Sequence, residues 1–347
     1  MTTSLERDLT DVLEWAGPVW SDLKGARLLI TGGTGFFGCW LLESLCHANR
    51  HLGLGARATI LTRAPGSFRL KAAHLAGNSA VELVEGDVLA LPELPGEYSH
   101  VIHAAGDAST LQFQVNPLRS FNSLVIGTQN VLAWASSKAV DRFLFTSSGA
   151  VYGLQPSDLK RIPDHWSGAP DCSSPGAAYA EGKRAAETLC ALHARRSSMT
   201  ITIARCFAQA GPYLPLDAQY ALGNFIRDAL AGGPIVVAGD GTPYRSYLYA
   251  SDLAAWLWHI LLRGSSGLPI NVGSEEEVSV AELANLVSRM AGGVDIQVRG
   301  TPDPTRQPDR YVPETARARA MGLQAHVALK EAIHRTIAWN RLRSTGY

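Results

Sequence analysis

Tyr179 and Lys183 stand four residues apart, with Ala180, Glu181 and Gly182 between them. In a helix that spacing puts phenol and ammonium on one face. A free phenol ionises near pH ~10, so it can serve as a base at neutral pH only if its phenolate is stabilised, which a neighbouring cation does. The pair therefore suits removal of a proton from an alcohol oxygen, with Lys183 also able to hold a ribose hydroxyl. A surface Tyr and Lys share this spacing, so the reading needs a second observation. It comes from Phe145-Thr-Ser-Ser-Gly-Ala-Val-Tyr-Gly153, where an apolar run ends in serines. Ligands of doubly wound sheets lie at the carboxyl ends of strands, and a hydroxyl there can bind a reacting alcohol or ketone.

A second group of residues points to a dinucleotide. Gly32, Gly35 and Gly38 fall between the apolar run 28–31 and a helical pattern beginning near Phe36 and Phe37. Small residues let the backbone approach a pyrophosphate, whose charge meets the amides and positive end of the helix. At the end of the next run, where an acidic residue commonly meets the ribose of NAD, stand Thr62 and Arg63. A hydroxyl and a guanidinium suit a 2′-phosphate, so the expected cofactor is NAD or NADP with a lean to NADP; as the alternative, Arg63 is a solvated loop residue.

The elements that must position these groups alternate. Short apolar runs at 27–31, 58–62, 81–84, 100–103, 142–147 and 200–204 are separated by helical segments, the pattern of a Rossmann-type, doubly wound parallel α/β sheet. Leu5, Leu9, Val12 and Leu13 recur at helical spacing ahead of the first run. Beyond residue 207 glycines and prolines break the regularity, and Ser279 with Glu282 forms a capping box. The expected organisation is a helical extension at 1–24, a dinucleotide-binding domain at 25–206, and a smaller C-terminal α/β substrate lobe at 207–347 that can return elements to the first domain.

Composition narrows the class. Lys plus Arg and Asp plus Glu each total 31, so no net field draws nucleic acid or an anionic membrane. No apolar run is long enough to span a bilayer, and 253–262 reads as a buried helix. The charged start lacks the form of a signal peptide, so a cytoplasmic protein is expected. Five cysteines without a C-x-x-C pair are expected reduced, mostly buried and free of metal; no metal site is expected.

Taken together, these motifs resemble the extended short-chain dehydrogenase/reductases, in the nucleotide-sugar epimerase and dehydratase branch. The resemblance spans about 28–323 and rests on the glycine turn, Gly86-Asp87-Val88, His103-Ala104-Ala105, Ser148 to Gly153, Tyr179 to Lys183, Gly211-Pro212 and Gly239 to Tyr247. It implies that Tyr179 is the acid/base, Lys183 its partner, and Ser148, rather than Ser147, the holder of the reacting oxygen. Asp87 and Val88 would lie by the adenine, Ala104 and Ala105 by the adenosine ribose. Arg245 resembles the arginine that grips a sugar-nucleotide pyrophosphate, with Arg310 assisting and Asn224 and Phe225 lining the nucleotide pocket. Taken singly, Asp87 could cap a turn, Arg245 could pair with Asp252, and Arg310 could be solvated.

Three departures bear on the reaction. The Asp-Glu pair of the branch's 4,6-dehydratases is here Gly149-Ala150, which can move no proton. Ala208, followed by Gln209, and Leu124 each replace a common asparagine. The expected activity is epimerisation of a nucleotide sugar through a 4-keto intermediate; NADPH-dependent reduction of a 4-keto-6-deoxy nucleotide sugar is the alternative. Dehydration and uronate decarboxylation rank lower, the latter because no carboxylate-binding cation stands out, and a dinucleotide sensor without turnover is the non-enzymatic alternative. The resemblance also implies a homodimer formed through 118–134 and the Tyr179 helix.

Overall fold

The structure, a computed structural model, describes residues 5–106, 115–218 and 220–344. Its contacts divide the chain into two compact units, Met1–Val151 with Asp171–Arg205 and Ala254–Ile270, and Tyr152–Pro170 with Cys206–Leu253 and Asn271–Tyr347. Residues 152–170, which the sequence reading placed within the first domain, group with the second unit, and 254–270 return to the first.

The first unit is built on a seven-stranded parallel sheet. Its strands are β1 (Arg27–Thr31), β2 (Arg57–Thr62), β3 (Val81–Glu85), β4 (His100–His103), β5 (Arg142–Ser148) and β6 (Thr200–Cys206). Four short strands intervene, β7 (Gln209–Ala210), β8 (Ile235–Val237), β9 (Tyr244–Ser246) and β10 (Leu248–Tyr249), before β11 (Pro269–Val272) completes it. The order is β11-β6-β5-β4-β1-β2-β3. Helices cover both faces of such a sheet, so the middles of its central strands are apolar: Leu28, Leu29, Ile30, Val101, Ile102, Phe143, Leu144 and Phe145 are all fully buried. β1 pairs with both β2 and β4, and the chain reverses direction across the sheet at that point. This switch point is where a ligand crevice forms.

The covering helices are α1 (Glu6–Ala16), α2 (Phe36–Leu52), the short α3 (Pro65–Lys71) and α4 (Ala73–Ala76), α5 (Pro117–Ser137) and α6 (Ala178–Ala194). α1 buries Leu9, Val12 and Ala16 and packs on α2. In the second unit α7 is Ala221–Leu230, and the apolar run expected to be a buried helix forms α8 (Ala250–Arg263), most of which lies in the first unit. There the Trp258 indole N–H donates to Ser44 at 2.8 Å. Downstream lie β12 (Glu277–Ser279), α9 (Val280–Ala291), β13 (Ile296–Val298), β14 (Arg310–Tyr311), α10 (Ala316–Ala320) and α11 (Leu329–Ser344). The capping box at Ser279 and Glu282 opens α9 as read from the sequence. None of the five cysteines forms a disulfide; Cys39, Cys190 and Cys206 are buried, Cys46 is half-buried and Cys172 is exposed.

Candidate active site

The carboxyl end of β5 and one face of α6 are laced together. Lys183 is only 3% exposed, so its ammonium needs a partner, and it donates to the Thr146 carbonyl at 2.7 Å. That bond aims the Nζ at the strand end, 4.8 Å from the Phe145 ring centre and 6.0 Å from that of Tyr179. One turn further along the same helix face, Glu187 accepts the Ser147 hydroxyl at 2.5 Å. Ser147 is thus committed to the frame, whereas the Ser148 oxygen accepts only a local amide, that of Ala150, at 3.1 Å among the bonds described. Tyr179 is half-buried and begins the face that Lys183 and Glu187 continue.

The glycine turn joins β1 to α2. Gly32 has φ +72°, and a Cβ there would lie 2.4 Å from the Ala104 carbonyl oxygen; a Cβ on Gly38 would lie 2.2 Å from the Gly33 main chain. Only glycine permits both approaches. The turn delivers Gly35 as the N-cap of α2, with no side chain capping the first amides, and Phe36 and Phe37 half-buried in the first turn. Free amides at a helix start fit a pyrophosphate. Lys71, from α3, donates to the Thr34 carbonyl at 2.9 Å and adds a cation beside the turn.

A directed hydrogen-bond chain fixes the β1 and β4 ends. The Thr128 hydroxyl donates to Leu124 O at 2.5 Å, which leaves its oxygen to accept from His103 Nε2 at 3.0 Å. His103 Nδ1 must then accept from the Thr31 hydroxyl at 2.6 Å, whose oxygen in turn accepts the Ala105 amide at 3.3 Å. Burial, reinforced by the Lys183 charge, holds the His103 pKa down at about 3, so the ring is neutral. Leu124, in the place of the common asparagine, is buried beside Gly182 and Gly106, next to the Lys183 ammonium.

The other expected cofactor positions divide. Asp87 accepts from the Leu89 amide at 3.0 Å and from Arg119 at 2.7 Å, so it closes a turn and is held by α5. Val88 is buried in the core against Gly127, and Ala104 and Ala105 are half-buried. Thr62 is buried and its hydroxyl accepts the Ala64 amide at 3.3 Å, while Arg63 is exposed.

In the second unit, Arg245 donates to the Tyr244 carbonyl at 2.7 Å and is half-buried. It does not face Asp252 as a partner in any bond described; the Asp252 carboxylate instead accepts the His326 and Val327 amides at 2.9 and 3.1 Å. Arg310 lies on the neighbouring strand, stacked 4.3 Å over the Tyr244 ring and paired with Glu277. Its charge is therefore neutralised within the protein. Asn224 accepts from Arg227 at 3.0 Å, and Phe225 is buried.

The sequence reading missed Glu187, Arg205, Thr31, Thr128 and Lys71. Arg205 meets both Glu187 oxygens, at 2.9 Å from Nε to Oε1 and 2.7 Å from Nη2 to Oε2. The signal for Glu187 was its place four residues after Lys183 on the same face. Arg205 and the threonines carry no local signal, because strand pairing brings them in.

A doubly wound sheet, a glycine turn at its switch point and a Tyr-Lys helix against the neighbouring strand end define a NAD-dependent enzyme of the extended short-chain dehydrogenase/reductase type. The chain belongs to the NAD dependent epimerase/dehydratase family, which matches residues 28–273. It is 32% identical to UDP-glucuronic acid decarboxylase 6 of Arabidopsis thaliana over 310 residues, covering 88% of this chain and 86% of that one. It is 30% identical to UDP-glucuronic acid decarboxylase 1 of Danio rerio over 320 residues, covering 92% and 73% respectively. The fold is shared with UDP-glucose 4-epimerase of Thermotoga maritima, solved with UDP-glucose, at a TM-score of 0.77 and 21% identity over 92% of this chain and 99% of that one. It is also shared with the dTDP-glucose 4,6-dehydratase DesIV of Streptomyces venezuelae, solved with NAD bound, at 0.78 and 23% over 92% and 97%.

Proposed function

We propose that this enzyme oxidises C4 of a nucleotide-activated uronic acid and thereby decarboxylates it, with UDP-glucuronate as the first substrate to try. The observation that carries the reading is the Lys183 ammonium fixed on the Thr146 carbonyl one helical turn from Tyr179. That cation stabilises the Tyr179 phenolate, which takes the proton from the C4 hydroxyl while Ser148 holds the same oxygen. Bound NAD supplies the acceptor, and later the donor, of the C4 hydride. The resulting ketone lies β to the carboxylate, so carbon dioxide leaves as its bonding electrons pass into the C4 carbonyl. Ser148 and the now protonated Tyr179 donate to that oxygen and stabilise the enolate. C5 then takes a proton from solvent, and Tyr179 returns its proton as C4 is reduced.

Gly149-Ala150 is compatible with this course. Dehydration needs a base at C5 and an acid at C6, whereas a departing carboxylate leaves its electrons behind and needs no base. The names of the relatives favour decarboxylation over the epimerisation expected from the motifs. C4 epimerisation is the second reading, favoured by the cations: Arg205 is held by Glu187 and Lys183 by Thr146, so neither stands ready for a substrate carboxylate. We take NAD as the cofactor, since the lean to NADP rests on Arg63 alone once Thr62 is turned to Ala64. A cytoplasmic homodimer fits five cysteines that form no disulfide and the exposed Leu118, Ile126 and Leu192 on α5 and α6.

The test is incubation with NAD and either UDP-glucuronate or UDP-glucose. Release of carbon dioxide with a UDP-pentose supports the proposal. Conversion of UDP-glucose to its C4 epimer without gas release shifts the assignment to the second reading, and inertness toward both sinks the two together.

A further inference from the structure

At the far end of α2 from the glycine turn, a second cluster of side chains converges that the proposed reaction does not use. Glu6 opens α1, while His47 and His51 lie one turn apart on α2 with their rings 4.2 Å between centres. One ligand-capable atom from each of the three lies within 4.8 Å of the others, the only such grouping of His, Cys, Asp and Glu found among the described residues. The point they surround already attracts positive charge. Arg50 places one guanidinium nitrogen 3.1 Å from His47 Nδ1 and 3.3 and 3.5 Å from the two Glu6 oxygens. Because that nitrogen can only donate, His47 Nδ1 must present its lone pair to the same point, the tautomer a metal requires. The Glu6 Oε1 lies 3.8 Å from His47 Nδ1 and 4.0 Å from His51 Nε2. Ligands about 2.0–2.2 Å from a tetrahedral zinc stand roughly 3.3–3.6 Å from one another, so a contraction of about half an ångström closes these two pairs around an ion.

We propose that Glu6, His47 and His51 form a binding site for a divalent transition cation of the zinc type, which displaces the Arg50 head and clips α1 to α2. Two imidazoles and a carboxylate with one position left to water match the ligand preference of zinc rather than of calcium or magnesium. The Arg50 side chain is 58% exposed, so its guanidinium moves into water when displaced. His51 is close to the last residue of the 17-residue α2, about 1.5 Å per residue from the turn at its start, which makes the ion a clip and not a participant in the chemistry.

Untagged full-length protein is titrated with zinc chloride against a fluorescent zinc indicator, and its thermal melting is followed in parallel. The expected result is one equivalent bound with a rise in Tm. His51→Ala and Glu6→Gln should each weaken binding roughly tenfold or more and remove the Tm shift. Arg50→Gln, which removes the competing cation, should bind zinc more tightly. Binding that is absent, or that is unchanged in His51→Ala, or an Arg50→Gln variant that binds no better than the parent, overturns the proposal.

Discussion

Glu187 holds Arg205 through both carboxylate oxygens while accepting the Ser147 hydroxyl, so that β5, β6 and α6 meet at one nearly buried ion pair. With Lys183 on Thr146, this gives α6 two anchors one turn apart and fixes Tyr179 at the next turn. Replacing Glu187 by Ala removes the two-oxygen partner of the half-buried Arg205 and the acceptor of the Ser147 hydroxyl, at a cost of about 3 kcal/mol, the lower end of the range for a buried pair. Chemical denaturation of Glu187→Ala should show that loss, and Glu187→Gln a smaller one. A midpoint shift below about 1 kcal/mol for the alanine variant would remove the pair from the frame.

Tyr179 is half-buried at the start of its helix face, and its hydroxyl is the proposed proton carrier. Tyr179→Phe should lower kcat by roughly 10²–10⁴ without altering the melting temperature by more than a degree or two. Turnover within tenfold of the parent would reassign the acid/base.

Gly38 packs so closely on Gly33 that an added methyl must displace the main chain of the turn. Gly38→Ala should therefore weaken dinucleotide binding, read by fluorescence titration with NAD, by more than tenfold, or about 1.4 kcal/mol. Equal affinity in parent and variant would mean that the turn does not contact the cofactor.

His103 is neutral in the folded protein because burial lowers its pKa to about 3, whereas in the unfolded chain it titrates near 6.5. Between those values the unfolded state carries more protons. Stability is thus full above about pH 6.5 and is lost progressively as pH falls toward 3. His100, held down to about 4 by burial, acts in the same direction. His103→Gln removes one of these titrations, and its denaturation midpoint should fall less steeply between pH 6.5 and 4 than that of the parent. Parallel slopes would mean that the ring is protonated in the fold.

Arg63 is exposed at the end of β2, where the adenosine ribose is expected. If it serves a 2′-phosphate, Arg63→Ala will reduce NADP affinity and leave NAD unchanged. For an NAD enzyme, as proposed, the parent should prefer NAD and the variant should alter neither affinity by more than about twofold, within roughly 0.4 kcal/mol.

Of the six strands 27–31 through 200–206, the inner ones were legible because a parallel strand buried on both faces is a mainly apolar run that needs no neighbour to be recognised, and the edge strand β3, with only Val81 buried, showed through Val81, Leu83 and Val84. β11 was not, since Pro269-Ile-Asn-Val272 is too short to stand out and becomes a strand by pairing at the sheet edge. The return of 254–270 to the first unit is likewise a property of contacts and not of composition.

By itself the sequence determined what is local: the glycine turn, the phenol and ammonium sharing a helix face, the absence of a proton-transferring pair at Gly149-Ala150. Each is written within a few consecutive residues, so backbone geometry alone sets the spacing. Only the tertiary structure decided which serine is tied to Glu187, that His103 is a neutral link between Thr31 and Thr128, and that Arg310 is already paired with Glu277. Those outcomes depend on which distant groups desolvate one another, and burial and charge pairing act through space rather than along the chain.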